Sequence, residues 1–306
     1  MAKDRPRVSI GLAVYNGERY LREAIDSILA QTFADFELIV SDNASTDGTA
    51  EICREYASRD DRVRLHRNDR NIGGANNENL TFKLARGEYF RWAAYDDVLA
   101  PDLLARTVAV LDAVPSVVLC HSQVVEIDQY GVPIRVTSQP RAQADRPHER
   151  FRELLYRDHD CAATYGLVRS AVLRRTRLQQ NYTDSDRTLL CELSLYGKFY
   201  EIPEPLFYKR LHPRNQYIDW RARMAWFDPA LKGQIVFPNW MQFCDYVTTI
   251  ARVPLPPYSR LCCYGEMLRW LAKHGKYMAK DLLVAVCMLL HSPQWRRENA
   301  GPYNWE

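Results

Sequence analysis

The sequence predicts an α/β protein: a mainly parallel, twisted sheet flanked by helices, followed by a helical C-terminal extension. Three observations carry this expectation. Short apolar runs alternate with helix-patterned stretches from Val8 to Val125. Polar clusters at 15–18, 42–47, 71–79 and 95–97 each follow such a run. The balance of 47% hydrophobic and 26% charged residues over 306 positions is that of a folded globular chain and excludes a disordered or collagen-like one.

The elements follow in order. Val8 to Val14 is a continuous apolar run ended by Asn16-Gly17, the pattern of a strand buried on both faces. Tyr20, Leu21, Ala24, Ile25, Ile28 and Leu29 recur at helical steps, with Asn16 as a candidate cap. Phe36 to Val40 is the next strand, and the turn SDNASTDGT leads into a helix through Tyr56. Val63 to His66 precedes NDRNIGGANNEN and a helix ending at Gly87; Tyr89 to Ala94 runs into Tyr95-Asp96-Asp97. After Pro101 come a helix and the apolar strand Val117 to Val125. Strands separated by helices of this length imply βαβ crossovers and a parallel sheet. Ligands bind such sheets outside the carboxyl ends of the strands, so the polar clusters should converge on one edge.

The second half changes character. Residues 128–150 lack periodicity and read as a surface loop. Order resumes with a helix near 149–156, an apolar stretch at Ala162 to Val168, a helix over 185–196 and the strand-like KFYEIPEPLFYKR. From about 215 the chain reads as helical and aromatic-rich, with Trp220, Trp226, Trp240 and Trp270. Residues 264–290 mix basic and apolar residues at helical spacing, which suits a membrane surface, packing on the body of the protein, or a dimer interface. The Arg-rich stretch from Arg141 to Arg177 reads as a solvated face before a contact for an anionic acceptor or lipid headgroups.

Whole-chain properties narrow the class. A net charge of +3 demands no nucleic acid. No apolar run reaches the ~18 residues of a membrane span, and the N-terminal run is too short for a signal peptide. Eight cysteines without CxxC spacing suggest reduced thiols and a cytoplasmic place, with a peripheral position at the inner face of a membrane left open. There is no GxGxxG after a strand, no GxxxxGK[ST] and no HExxH, which disfavours a Rossmann dehydrogenase, a P-loop enzyme and a zinc hydrolase. What remains is carboxylate chemistry: adjacent Asp96 and Asp97 at a strand end suit Mg²⁺ or Mn²⁺, held partly by a substrate's phosphates. Taken alone, the pair would better suit a solvated turn that caps the helix after Pro101.

The segment PRVSIGLAVYNGERYLREAIDSILAQTFADFELIVSDNASTDGT resembles the nucleotide-binding half of family 2 glycosyltransferases, which have the GT-A fold. NDRNIGGANNENLTFKLARGEYFRWAAYDD resembles the stretch leading these enzymes into their DXD-type motif. The resemblance is strong over 7–128, weaker over 180–215, and absent from the tail. It implies a nucleotide-sugar-binding half at 1–128, an acceptor-binding and catalytic half of the same domain at 129–215, and a helical extension at 216–306. It implies that Ala13, Tyr15, Asn16 and Glu18 line the nucleotide pocket, with Asp42 and Asn43 at the polar edge of the base. Many relatives carry Asp where this chain has Asn43, and an amide can still pair with uracil. Asn71, Gly73 and Asn79 are implied to face the ribose and diphosphate, Asp96 the ribose or metal, and Asp97 the metal. The family's commoner run begins with an Asp where Ala94 stands.

The resemblance gives Asp186 the catalytic base's position, with Asp184 as rival, although either could simply cap the following helix. His212 matches a histidine closing the metal and diphosphate site. The implied activity is metal-dependent, inverting transfer of a sugar from a nucleoside-diphosphate donor, UDP-linked by preference, to a saccharide, lipid-linked or other hydroxyl acceptor. Two rivals are a sugar-nucleotide nucleotidyltransferase, disfavoured because LAVYNGERYL lacks a Gly-rich basic loop, and a non-catalytic sugar-nucleotide-binding subunit.

Overall fold

The computed structural model describes residues 5–212, 224 and 226–290. Trp220, which the sequence places in the helical tail, lies outside them. The first half alternates as expected: β1 (Val8–Val14), α1 (Leu21–Leu29), β2 (Phe36–Asp42), α2 (Thr49–Arg59), β3 (Val63–Arg67), α3 (Gly74–Leu84), β4 (Tyr89–Ala93), β5 (Val98–Leu99) and α4 (Leu103–Ala113). The second half holds β6 (Val117–Ile127), β7 (Pro133–Thr137), α5 (Pro147–Tyr156), β8 (Leu167–Arg169), α6 (Ser170–Leu173), α7 (Ser185–Tyr196) and β9 (Lys198–Arg210). Two long helices follow, α8 (Pro238–Arg252) and α9 (Pro257–Leu289).

The nine-stranded sheet runs β3-β2-β1-β4-β8-β6-β9-β5, with β7 added beside β6. The pairings β2–β3, β1–β2 and β1–β4 are parallel. Every residue of β2 is buried, as expected when helices cover both faces. The second half is mixed: β6 lies parallel to β9, whereas β8 pairs antiparallel with both β4 and β6. Gly11 shows how closely the first layer packs. A Cβ there would stand 2.2 Å from Thr81 Oγ1 on α3, so only glycine lets this helix settle on β1.

Three sequence readings are corrected. Residues 128–150 are not simply a surface loop, because β7 pairs antiparallel with β6 and Ala142 and Gln139 are buried. As an edge strand whose first four residues are all exposed, β7 carries no alternation for the sequence to display. Asn16 does not cap α1: the helix begins after Tyr20 without a side-chain cap, and Asn16 Oδ1 accepts the Thr46 N–H instead. The Arg-rich stretch is only partly solvated. Buried Arg150 donates to the carbonyls of Ser194, Ala144 and Asp145, and Arg169 donates to those of Val117 and Leu111. Among the described residues no helix is long and apolar enough to cross a membrane.

Candidate active site

The loops after β1 and β2 are laced together by the residues expected to hold a nucleotide. The Asn16 N–H donates to Ser45 Oγ at 3.0 Å, and the Gly17 N–H to Thr49 Oγ1 at 2.9 Å. Glu18 Oε2 accepts the Gly48 N–H at 2.9 Å. Ala13 and Tyr15 are half-buried at the end of β1. Asp42, fully buried, accepts the Ser45 N–H on Oδ1 at 2.9 Å. Its Oδ2 is buried without a hydrogen bond and faces the Arg67 guanidinium at 3.4 Å.

Asn43 is more constrained than the sequence suggests. Its Oδ1 accepts from Asn68 Nδ2 at 3.0 Å and the Ile72 N–H at 2.9 Å. Its Nδ2 donates to Asn71 Oδ1 at 2.9 Å and to the Gly73 carbonyl at 3.4 Å. The amide is spent on folding the 71–73 loop, so pairing with uracil would require giving up one of these bonds. Asn71 Oδ1 also accepts the Gly73 N–H at 2.8 Å. Gly73 has φ 88°, and a Cβ on it would stand 2.2 Å from the Phe227 carbonyl oxygen, so both backbone angle and space require glycine. Asn79 turns toward the other half of the chain. Its Nδ2 donates to the Gln179 carbonyl at 2.7 Å, and the Gln179 N–H returns a bond to Oδ1 at 3.1 Å. The Gln179 side chain in turn accepts from Ser185 Oγ at 3.1 Å, at the start of α7. Asn79 thus fastens the loop that leads to Asp186.

The acidic end of β4 is built against β9. Asp97 Oδ1 accepts the Arg210 N–H at 2.8 Å, and the Arg210 guanidinium donates to the Asp96 carbonyl at 2.8 Å and to Glu23 at 2.7 Å. His212 Nε2 lies 2.7 Å from Asp96 Oδ2. Burial, then the neighbouring Asp96 charge, raises the Asp97 carboxyl to about 8. Beneath it, the buried Arg91 guanidinium sits over the Phe207 ring at 5.2 Å, and its Nε and one Nη have no hydrogen-bond partner.

The structure brings the remote Asp186 to this edge. Desolvation and then Asp184 raise the Asp186 carboxyl to about 6. Across from it on α3, Glu78 is raised to about 8 by desolvation and by Asp186. Tyr165 marks the meeting point: besides desolvation, the charges of Glu78, Asp97, Asp96 and Asp186 all hold its phenol protonated. Asp184, at the cap position of α7 with φ 65°, makes no side-chain cap bond, whereas Asp186 in the first turn accepts the Arg187 N–H on Oδ1 at 2.7 Å, so of the two carboxylates only Asp186 serves the helix start.

Glu78, Tyr165 and Arg210 were missed by the sequence reading. Glu78 lay within the quoted NNENL segment without a role, since only the fold turns it toward α7. For Tyr165 and Arg210 the chain carries no local signal.

Among the described residues no three His, Cys, Asp or Glu side chains gather closely enough to cage a metal, so Asp96, Asp97 and His212 do not form one three-donor cluster. The donor chemistry nevertheless fits a hard divalent cation. Two carboxylates and an imidazole stand at the site, and one carboxylate is buried with too little positive charge to ionise readily. Mg²⁺ usually takes only one or two carboxylates and completes its shell with substrate phosphates and water.

The curled mixed sheet with flanking helices and this acidic strand end define a glycosyltransferase of the GT-A type. The fold is similar to that of Staphylococcus aureus TarS 1–349 solved with UDP, with TM-score 0.63, 18% identity, and coverage of 87% of this chain and 72% of that one. It is also similar to the mannosyltransferase PcManGT from Pyrobaculum calidifontis, solved with GDP-Man and Mn²⁺, with TM-score 0.56, 19% identity, and coverage of 97% and 85%. Residues 9–177 match the sequence profile of Glycosyl transferase family 2. The chain belongs to that family and is a glycosyltransferase. An uncharacterized glycosyltransferase of Methanocaldococcus jannaschii is 29% identical over 220 residues, 70% of this chain and 74% of that protein. One from Rickettsia prowazekii is 36% identical over 124 residues, 40% of this chain and 38% of its own length.

Proposed function

We propose that this enzyme is a metal-dependent, inverting glycosyltransferase that moves a sugar from a nucleoside-diphosphate donor, UDP-linked by preference, to a hydroxyl of a saccharide, lipid-linked or other acceptor. The work would belong to polysaccharide, glycolipid or other glycoconjugate synthesis. The observation that supports it is the convergence of Asp96, Asp97, Asp186 and Glu78 on Tyr165 at one sheet edge.

In this reading residues 1–128 hold the donor, 129–215 supply the acceptor side and the base, and 216–306 form the extension. Ala13, Tyr15, Asn16 and Glu18 shape the nucleoside pocket, and Asp42, paired with Arg67, lies at the polar edge of the base. Asn43 acts by holding Asn71 and Gly73 beneath the diphosphate. Asp97 and Asp96, with His212 beside them, would hold Mn²⁺ or Mg²⁺, which supplies neutralising charge to the departing diphosphate. Asp186 takes the proton of the acceptor hydroxyl as its oxygen attacks the anomeric carbon and the bond from that carbon to the diphosphate oxygen breaks. A single displacement of this kind inverts the anomeric centre. The family's work suits a cytoplasmic protein, including one resting at the inner face of a membrane.

Calorimetric titration with UDP, GDP, dTDP and CDP, with and without Mn²⁺, tests the donor site. Micromolar binding of UDP that requires both metal and an intact Asp97, and is lost in Asp97→Ala, is the expected result. Metal-independent binding, or binding unchanged in Asp97→Ala, would remove the metal from the reading. Preference for another nucleotide would reassign the donor.

A further inference from the structure

The segment that leads to Asp186 is held from two sides, and one of them belongs to the C-terminal extension. Residues 177–184 enter α7 with two non-glycine residues in the left-handed region, Leu178 at φ 59° and Asp184 at φ 65°. Such backbone persists only where its surroundings over-determine it. From the first half of the chain, Asn79 holds Gln179, and the Gln179 side chain accepts from Ser185 Oγ. The opposing ties come from α8 and the residues before it. Asp245, buried on α8, accepts the Arg177 guanidinium on Oδ1 and the Tyr182 hydroxyl on Oδ2, the latter at 2.6 Å. Asn181 Nδ2 donates to Asp228 Oδ2 at 2.9 Å, and Arg252 at the end of α8 pairs with Glu192 on α7. Helix α8 is a firm support for these bonds. Its fully buried Tyr246 ring stands edge-on to Phe151 and to Trp270 of α9, each at 6.0 Å.

What these bonds fix is the roll of α7. Tyr182 Oη lies 3.2 Å from Thr188 Oγ1. The phenol's one proton lies in the Asp245 bond, so its oxygen takes the Thr188 hydroxyl as an acceptor. Ser185 and Thr188 are three residues apart and share one face of a helix that turns about 100° per residue. Ser185 is held through Gln179, and Thr188 through Tyr182 and Asp245. With both fixed the first turn cannot roll, and Asp186, about 100° round from Ser185, keeps one direction. Stability alone does not call for the Arg177–Asp245 pair, since apolar groups of similar volume often serve a buried site as well. What the carboxylate and the hydroxyls add is direction.

We propose that Asp245, on the C-terminal extension, is a positioning residue for the base: through Tyr182 and Thr188 it sets the roll of α7 and so the direction of the Asp186 carboxylate. The extension is then part of the catalytic unit. This inference rests on the reading of Asp186 as base and is independent of the donor and metal assignments.

Kinetics and hydrogen exchange on full-length variants test it. Tyr182→Phe keeps the ring and loses both hydroxyl bonds, and Asp245→Leu keeps the volume and loses both acceptors. Each should lower kcat ~10- to 100-fold, since a misplacement of about 1 Å can cost roughly 10²-fold, with donor affinity near wild type. The rate is release of UDP from UDP-sugars with water as acceptor. Asp245→Asn, whose amide oxygen still accepts the Tyr182 hydroxyl, should recover most of kcat. Asp281→Ala is the structural control. Asp281 anchors the start of α8 by accepting the Asn239 N–H and Nδ2, both at 2.9 Å, so its loss should lower the melting temperature and leave kcat unchanged. In the Asp186→Asn background, Tyr182→Phe should cost nothing further, because the group it aims is gone. A Tyr182→Phe that keeps wild-type kcat while Asp186→Asn loses it, a full further loss in the double variant, or an equal fall in Asp281→Ala would overturn the proposal. A wild-type rate in Asp186→Asn would instead overturn the base assignment beneath it. Exchange of the amides of 182–188 needs no donor. It should speed up in Tyr182→Phe and Asp245→Leu but not in Asp281→Ala, and unchanged protection in the first two would also sink the proposal.

Discussion

Replacing Asp186 by Asn leaves the shape of the side chain and removes the oxygen that can hold a proton. Two carboxyls face each other across this part of the site, and their environments separate their roles. Glu78 is raised to about 8 and Asp186 only to about 6, so at neutral pH Glu78 keeps its proton and Asp186 carries the charge. Asp186 is then the group able to accept a proton from an attacking hydroxyl. General-base catalysis by a positioned side chain contributes ~10²–10⁴-fold, and Asp186→Asn should lose that much of kcat. The assay is release of nucleoside diphosphate at saturating donor, with water as acceptor, alongside calorimetric donor affinity, which should stay near wild type. The pH profile carries the sign. A base must be ionised to work, so the rate should fall tenfold per unit as pH drops below about 6. Asp184→Asn removes a neighbouring negative charge that helps to hold Asp186 protonated, so the acid limb should move to lower pH. Glu78→Gln replaces a group already neutral at pH 7 and should leave the rate there nearly unchanged. A folded Asp186→Asn that keeps more than about a tenth of the wild-type rate would refute the assignment, since it falls below the least that a general base supplies.

Three further outcomes test the scaffold around the site. Asn79→Ala removes both bonds to Gln179 and should cost about 1–3 kcal/mol in urea denaturation. It should lower kcat with little change in donor affinity, whereas a loss confined to affinity would return Asn79 to the diphosphate. Asn43→Asp turns a donor into an acceptor against Asn71 Oδ1 and the Gly73 carbonyl. The misfit, on the order of 1–3 kcal/mol, should weaken donor binding roughly tenfold or more by calorimetry; unchanged affinity would separate this loop from the donor. Gly11→Val forces its Cβ to within 2.2 Å of Thr81 Oγ1 and should destabilise by at least ~1–3 kcal/mol through overpacking, read as a lower melting temperature.

The alternation from Val8 to Ala113 was legible because each buried strand and each one-faced helix obeys its own local period. The placing of the polar clusters at the ends of β1, β2 and β4 follows from parallel topology alone. What could not be read locally was pairing in the second half. β8 has only three residues, β5 only two, and β7 shows solvent its first four side chains, so none displays a period of its own. The sequence likewise marked Asn43 and Asn79 as candidates without showing where their amides point. Neither hydrogen-bond set is implied by spacing, because the partners of Asn79 stand a hundred positions away in the chain.

The sequence by itself determined the class of fold, the strand ends at which its polar clusters gather, and the residue types fit for a cation and a base. Tertiary structure alone decided that Asp186 comes to the same edge as Asp96 and Asp97, and that Glu78 faces it closely enough for their charges to interact. It also decided that Arg210 locks the acidic turn to β9 and that one face of α9 is left outward. The reason is physical. Local periodicity records whether a side chain is buried, whereas the titration of a carboxyl depends on which charges and how much water surround it after distant segments have met.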